Sequence, residues 1–178
     1  MSERSGAAPS GVRLPDGAVV RACLFDVFGT VVDWYRSVTS ELTEFGARRG
    51  IDGVDWAQFT LEWRGLYQPA LDDVRTGRRP WVPLDVLHRE GLVQLVARHD
   101  VGGLSEVDLD HLARVWHRLD PWPDAVAGLT RLKAGTVIAP CSNGNVSLIV
   151  AMAKRAGLPW DAVLGAEIAR AYKPQPEA

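Results

Sequence analysis

Apolar residues run without polar alternation through Cys23, Leu24 and Phe25, stop at Asp26, and give way at once to Gly29 and Thr30. Such a run predicts a short parallel strand covered on both faces and ending in a loop. A second apolar run, Thr136 to Cys141, stops at Ser142-Asn143-Gly144, and a shorter one lies near Ala162 to Leu164. Between the first two, the period changes to that of helices. Ser37 to Arg49 carries apolar residues at helical spacing, with Gly50 placed to end the helix. Over Asp55 to Gln68, the residues Trp56, Phe59, Trp63 and Leu66 fall on one face, and Pro69 lies just beyond. Thr76 to Pro83 breaks the pattern with glycine, two prolines and Trp81. Leu84 to Arg98 and Ser105 to Leu119 read as two further helices, the second opening on the capping-box sequence Ser105-Glu-Val-Asp108. Asp120-Pro-Trp-Pro123 is a rigid connector. Asp124 then caps a helix to Lys133, Asn145 starts another through Ala156 that Gly157 closes, and the last polar loop holds Tyr172-Lys173-Pro174. This order predicts an α/β protein, a three-layer core with a parallel sheet at 19–35 and 120–178 and an inserted helical cap at 36–119.

Composition narrows the picture only a little. The 178 residues are 47% hydrophobic and 24% charged, ordinary for a globular protein with a real core. A net charge of -2 gives no electrostatic reason to expect nucleic acid or an acidic membrane as partner. Arg75, Arg78 and Arg79 read as a solvated basic loop. Cys23 and Cys141 sit in apolar runs and read as small buried hydrophobes of a reducing compartment. Residues 1–18, rich in Ser, Gly, Ala and Pro near the start, read as a disordered tail rather than a signal peptide. No apolar run approaches the roughly 20 residues that span a bilayer, so the expected location is the cytoplasm.

Candidate chemistry collects at the ends of the strands. Parallel sheets present side chains to ligands at their carboxyl edge, so Asp26 stands where a functional acid would, although an acid there can also serve merely as a cap for the next segment. Gly29 permits a tight turn, and Thr30 places a hydroxyl within reach of the Asp26 carboxylate. Ser142, Asn143 and Lys173 come from other strand or loop ends that converge on the same crevice. A free aspartate has a pKa of about 3.9; burial would raise it, and the Lys173 ammonium would hold it anionic. His88, His99, His111 and His117 lack the pairing of a zinc helix and read as surface or core residues. No Gly-x-Ser-x-Gly elbow is present. Asp33 reads as a helix cap, and Glu167 and Arg170 as solvated.

The run Asp26-Val-Phe-Gly-Thr-Val-Val-Asp33 resembles the first motif of the haloacid dehalogenase superfamily, whose nucleophile is the first Asp of Asp-x-x-x-Thr. Superfamily phosphatases carry a second Asp where this chain has Phe28, and an aromatic there resembles the type II 2-haloacid dehalogenase branch. Ser142-Asn143-Gly144 and Tyr172-Lys173-Pro174 match the second and third motifs in order and spacing. Glu62-Trp-Arg-Gly-Leu-Tyr67 is similar to the cap segment that holds a halide-accepting arginine. The resemblance implies a Rossmann-like core and hydrolysis of 2-haloalkanoic acids through an ester on Asp26. Thr30 and Lys173 would then be catalytic beside it, Ser142 and Asn143 would bind the substrate carboxylate, and Arg64 would receive halide. Phe28, Trp34, Trp63 and Trp81 could line the pocket, plain core being the commoner use of each tryptophan. No metal or organic cofactor is implied; the expected partner is a small 2-haloacid, and a homodimer is allowed. A fourth motif cannot be placed before Ala178, so the core is expected to be incomplete at its C-terminus, with one side of the sheet exposed. The rivals are a magnesium-dependent phosphatase of the superfamily and a non-catalytic interaction module that keeps the fold.

Overall fold

The computed structural model describes residues 13–178. Most of the expected tail lies outside the described residues, but Arg13 already bridges Val19 around a turn closed by Leu14 and Gly17. The elements then run β1 (Ala22–Phe25), β2 (Val32–Asp33), α1 (Trp34–Arg49), α2 (Trp56–Arg75), α3 (Leu84–Arg98), α4 (Glu106–Ala113), β3 (Asp120–Pro121), α5 (Ala125–Lys133), β4 (Val137–Ser142), α6 (Val146–Ala156), β5 (Leu164–Gly165) and α7 (Ala166–Ala169). β1, β4 and β5 form a parallel sheet in the order β1-β4-β5, with Phe25 opposite Pro140 and Cys141 opposite Leu164. β2 and β3 pair antiparallel where the helical segment leaves the sheet and returns, so the connector at Asp120 is itself a short strand.

Local chemistry sets the helix ends. Asp33 accepts from the Arg36 amide and caps α1, while Gly50 ends it in the left-handed region (φ 63°), where a side chain would be strained. Ser105 and Asp108 form the expected reciprocal box at α4, but the α-helix stops at Ala113 and tightens into a 3-10 turn over Arg114–His117. The larger departure is in α2, which runs through Pro69 to Arg75. Proline at position 69 removes the hydrogen bond to the Gly65 carbonyl, yet both residues lie on the exposed side, where water can serve that oxygen.

The sheet is covered unequally. Ile138, with Leu129 of α5 and Leu148, Ile149 and Met152 of α6, is buried in the main core, and Cys23 and Phe25 pack against it. On the opposite face Leu24 is 61% exposed, Val137 52% and Leu164 44%. β1 is therefore not covered on both faces as its apolar run implied. Leu24 pairs in register with Ala139, whose small side chain cannot shield it.

The helical segment has its own aromatic centre. Trp116 is 1% exposed and stacks on His88 at 4.5 Å between centroids, with Trp63 edge-on to it at 5.4 Å. Burial among these rings, with the Arg64 and His117 charges nearby, pushes the His88 imidazole down to about 3 despite the opposing pull of Asp85, so it is neutral in the fold. An unfolded chain takes up a proton at His88 near pH 6.5 and the folded one does not. Stability therefore falls as pH drops through that value, with a His88 share approaching ~1.4 kcal/mol per pH unit. Urea unfolding between about pH 6.5 and pH 4.5 should show this slope, and His88→Leu should flatten it by that amount. Equal slopes in the two proteins would contradict the assignment.

Candidate active site

Asp26 leaves the sheet at the carboxyl end of β1, beside the end of β4. The turn after it is tight: the Val31 and Val32 amides both donate to the Val27 carbonyl, at 2.9 and 3.2 Å, and Gly29 takes φ 92°. That turn brings the Thr30 hydroxyl back onto Asp26 Oδ2 at 3.0 Å. From the loop after α7, Lys173 Nζ donates to Asp26 Oδ1 at 2.8 Å and to the Cys141 carbonyl at 2.8 Å, tying the ends of β1 and β4 together. Burial alone would raise the Asp26 pKa. The hydrogen bonds from Lys173 and Thr30, the ammonium charge and the Val27 amide outweigh it and hold the carboxyl below the ordinary range.

Asp26 opens onto a cavity of about 420 Å³. Of the residues expected from sequence, Phe28, Arg64, Ser142, Asn143 and Lys173 line it with Asp26, while Thr30 acts on Asp26 from beside it. The Arg64 guanidinium lies over the Tyr67 ring at 4.0 Å and over the Trp34 ring at 5.5 Å. Asn143 is 7% exposed, accepts from the Lys173 amide at 2.7 Å and donates to the Tyr67 hydroxyl at 2.8 Å. Ser142 is 4% exposed and its Oγ accepts from the Gly144 amide at 3.2 Å. Trp34, Trp63 and Trp81 serve the core and not the cavity wall: Trp63 donates to the His88 carbonyl, and Trp81 packs by Tyr172.

Tyr67, Gln68, Arg75 and Pro174 also line the cavity, and sequence reasoning did not select them. Gln68 and Arg75 stand four and eleven residues beyond Arg64 on one helix face, a spacing that becomes visible only once α2 continues past Pro69. Arg75 is accordingly not part of a solvated loop. It is half-buried, bonds Asp72 at 2.8 Å and Gln68 at 3.2 Å, and donates to the Lys173 carbonyl. Arg78 and Arg79 pair with Asp73 and Glu90. Glu167 is also employed rather than merely solvated, accepting from the Val146 amide at the start of α6 at 2.9 Å. Arg170 is exposed, over the Trp81 ring.

Further bonds fasten the helical segment to the site loops. Asp85, at the start of α3, accepts from Asn145 at 2.9 Å and pairs with His117 at 2.9 Å, and the Tyr172 hydroxyl donates to the Val82 carbonyl at 2.7 Å. Burial opposes the Asp85 charge, but His117 and Asn145 keep its carboxyl below the usual value. Among the described residues no cluster of three or more His, Cys, Asp or Glu could hold a metal ion, and no helix is long and apolar enough to cross a membrane.

Fold and site together define a parallel α/β protein whose centre is a strand-end carboxylate pinned by an ammonium and a hydroxyl beneath an inserted set of helices. The chain belongs to the haloacid dehalogenase-like hydrolase family, which matches residues 20–178. It is 31% identical over 163 residues to (S)-2-haloacid dehalogenase 4A of Burkholderia cepacia, covering 88% of this chain and 65% of that protein. The chain thus spans about two thirds of that relative's length. The crystal structure of a defluorinating L-2-haloacid dehalogenase superposes with a TM-score of 0.89 at 46% identity, covering 94% of this chain and 69% of that one. The L-2-haloacid dehalogenase of Xanthobacter autotrophicus with chloropropionic acid covalently bound matches with a TM-score of 0.75 at 27% identity, over 89% and 62% of the two chains.

Two outcomes test the geometry. Lys173→Met leaves burial less opposed, so the Asp26 carboxyl should titrate at higher pH than in the parent chain when followed by carbon-13 NMR; an unchanged midpoint would contradict the ion pair. At Gly165 an added Cβ would stand 2.4 Å from the Gly144 carbonyl oxygen. Gly165→Ala should therefore cost about 1–3 kcal/mol in urea unfolding and displace the Ser142-Asn143-Gly144 loop. A fully stable variant would contradict that close approach.

Proposed function

We propose that this chain carries the dehalogenating site of a 2-haloacid hydrolase, with Asp26 as nucleophile. The observation that carries the reading is the Asp26 carboxylate, held anionic by Lys173 and Thr30 while facing a cavity that also contains Arg64. A carboxylate oxygen of Asp26 attacks the halogen-bearing carbon from the side opposite the halogen. The bond to halide breaks, an ester forms, and water then cleaves it at the Asp26 carboxyl carbon.

The substrate brings its own negative charge toward Asp26, so the site must offset that repulsion. Lys173 and Arg64 supply positive charge, and the buried Ser142 and Asn143 supply donors. Asn143 gives one amide N–H to Tyr67 and keeps the other for the ligand. Arg64, flanked by aromatic faces, receives the halide. Phe28 puts an apolar ring where a phosphatase of this superfamily would place its proton-donating acid, which supports attack on carbon rather than phosphorus. The reading carries with it a cytoplasmic location and leaves room for a homodimer.

Halide release from L-2-chloropropionate, with and without EDTA, tests it. The expected result is release that EDTA does not alter and that Asp26→Asn slows by about 10³-fold or more. Magnesium-dependent hydrolysis of an aryl phosphate without halide release would contradict the reading, as would full halide release by Asp26→Asn.

A further inference from the structure

The role of Tyr67 emerges from a chain of hydrogen bonds whose direction the backbone fixes. The Lys173 amide can only donate, and it lies 2.7 Å from the Asn143 side chain, so the atom facing it is the carbonyl oxygen Oδ1. The other end of the same amide, Nδ2, then faces the Tyr67 hydroxyl at 2.8 Å. An amide nitrogen accepts nothing, so the phenol oxygen is the acceptor there, and its own proton must go elsewhere. Among the described residues no acceptor takes that proton, and Tyr67 lines the cavity that holds Asp26. Beside it, the Arg64 guanidinium rests on the Tyr67 ring at 4.0 Å and pairs with no carboxylate among the described residues. Two donors, one cationic and one neutral, thus share one wall of the cavity.

We propose that the Tyr67 hydroxyl is a second hydrogen-bond donor to the departing halide, acting with Arg64, and that its contribution is greatest for fluoride. The inference rests on the dehalogenase reading of the same site. In the step concerned, a lone pair on an Asp26 oxygen forms the bond to the substrate carbon while the carbon–halogen bond breaks and its electron pair leaves with the halide. No proton is transferred. Tyr67 and Arg64 hydrogen-bond the charge that develops on the halogen, which is where a preorganised donor lowers a barrier. Fluoride concentrates that charge in the smallest volume and accepts the strongest hydrogen bonds, whereas bromide depends on them least.

Tyr67→Phe tests this, because it removes the O–H and keeps the ring under Arg64. Steady-state rates with L-2-fluoro-, L-2-chloro- and L-2-bromopropionate give the readout. The expected pattern is graded and lies in kcat: a loss of about 10²–10³-fold for the fluoride, the scale for deleting one donor to developing charge, and less than about tenfold for the bromide. An equal loss for all three halides would overturn the proposal, since Tyr67 would then act only by holding Asn143. A rise in KM with kcat retained would overturn it as well. Binding of sodium fluoride and sodium bromide, followed by tryptophan fluorescence, reads the same donor without turnover: the variant should lose fluoride affinity at least about tenfold and keep most of its bromide affinity. If the parent chain released halide and the variant behaved identically, this inference alone would fall. If the parent neither released nor bound halide, the dehalogenase reading would fall with it.

Discussion

The ion pair between Lys173 and Asp26 is the constraint on which the site depends. A carboxylate at the edge of a sheet, next to a partly apolar cavity, is pushed toward its neutral form, and a neutral acid is a poor nucleophile. Lys173 reverses that push from the far end of the chain, 147 residues away, and spends a second N–H on the Cys141 carbonyl. One ammonium therefore sets the charge of the Asp26 carboxylate and ties together the ends of β1 and β4. Thr30 adds a local bond from the turn that Gly29 allows, so the carboxylate is held by one contact near in sequence and one remote.

The inserted helices place donors around that pair and lock the loops that carry it. Arg75 holds the Lys173 carbonyl, Tyr67 receives Asn143, and Asn143 in turn receives the Lys173 amide. Asp85 binds Asn145 at the start of α6. These bonds cross between elements far apart in sequence, so the cavity is shaped jointly by the helical segment and the sheet. The aromatic centre at Trp116, His88 and Trp63 packs the helices together and meets the cavity through Phe28, whose ring lies 6.3 Å from that of Trp116, with a histidine kept neutral by burial.

What could be read from the sequence was whatever rests on short stretches of chain. Asp26 and Thr30 belong to one turn, the strand ends announce themselves as apolar runs that stop, and Asp33, Gly50 and Ser105 mark helix ends through their own chemistry. Two-residue strands such as β2 and β3 are too short to show a period. Pro69 marks a natural stopping point for a helix, and a helix ended there leaves Arg75 out of line with Arg64. Tyr67 could not be singled out because the direction of its hydrogen bond depends on which way Asn143 points, and a backbone amide 30 residues beyond Asn143 decides that. The exposure of Leu24 depends on what covers the sheet, and an unalternating apolar run says only that both faces could be covered.

On the proposed reading, Asp26 forms a covalent bond to carbon. Intact mass of the folded chain, sampled at short times after mixing with L-2-chloropropionate and combined with peptide mapping, tests it most directly. The account predicts a 1-carboxyethyl ester on the peptide containing Asp26, formed as halide is released and absent from Asp26→Asn. Halide released by a folded chain whose Asp26 peptide stays unmodified at every time sampled, including under acid quench, would contradict it.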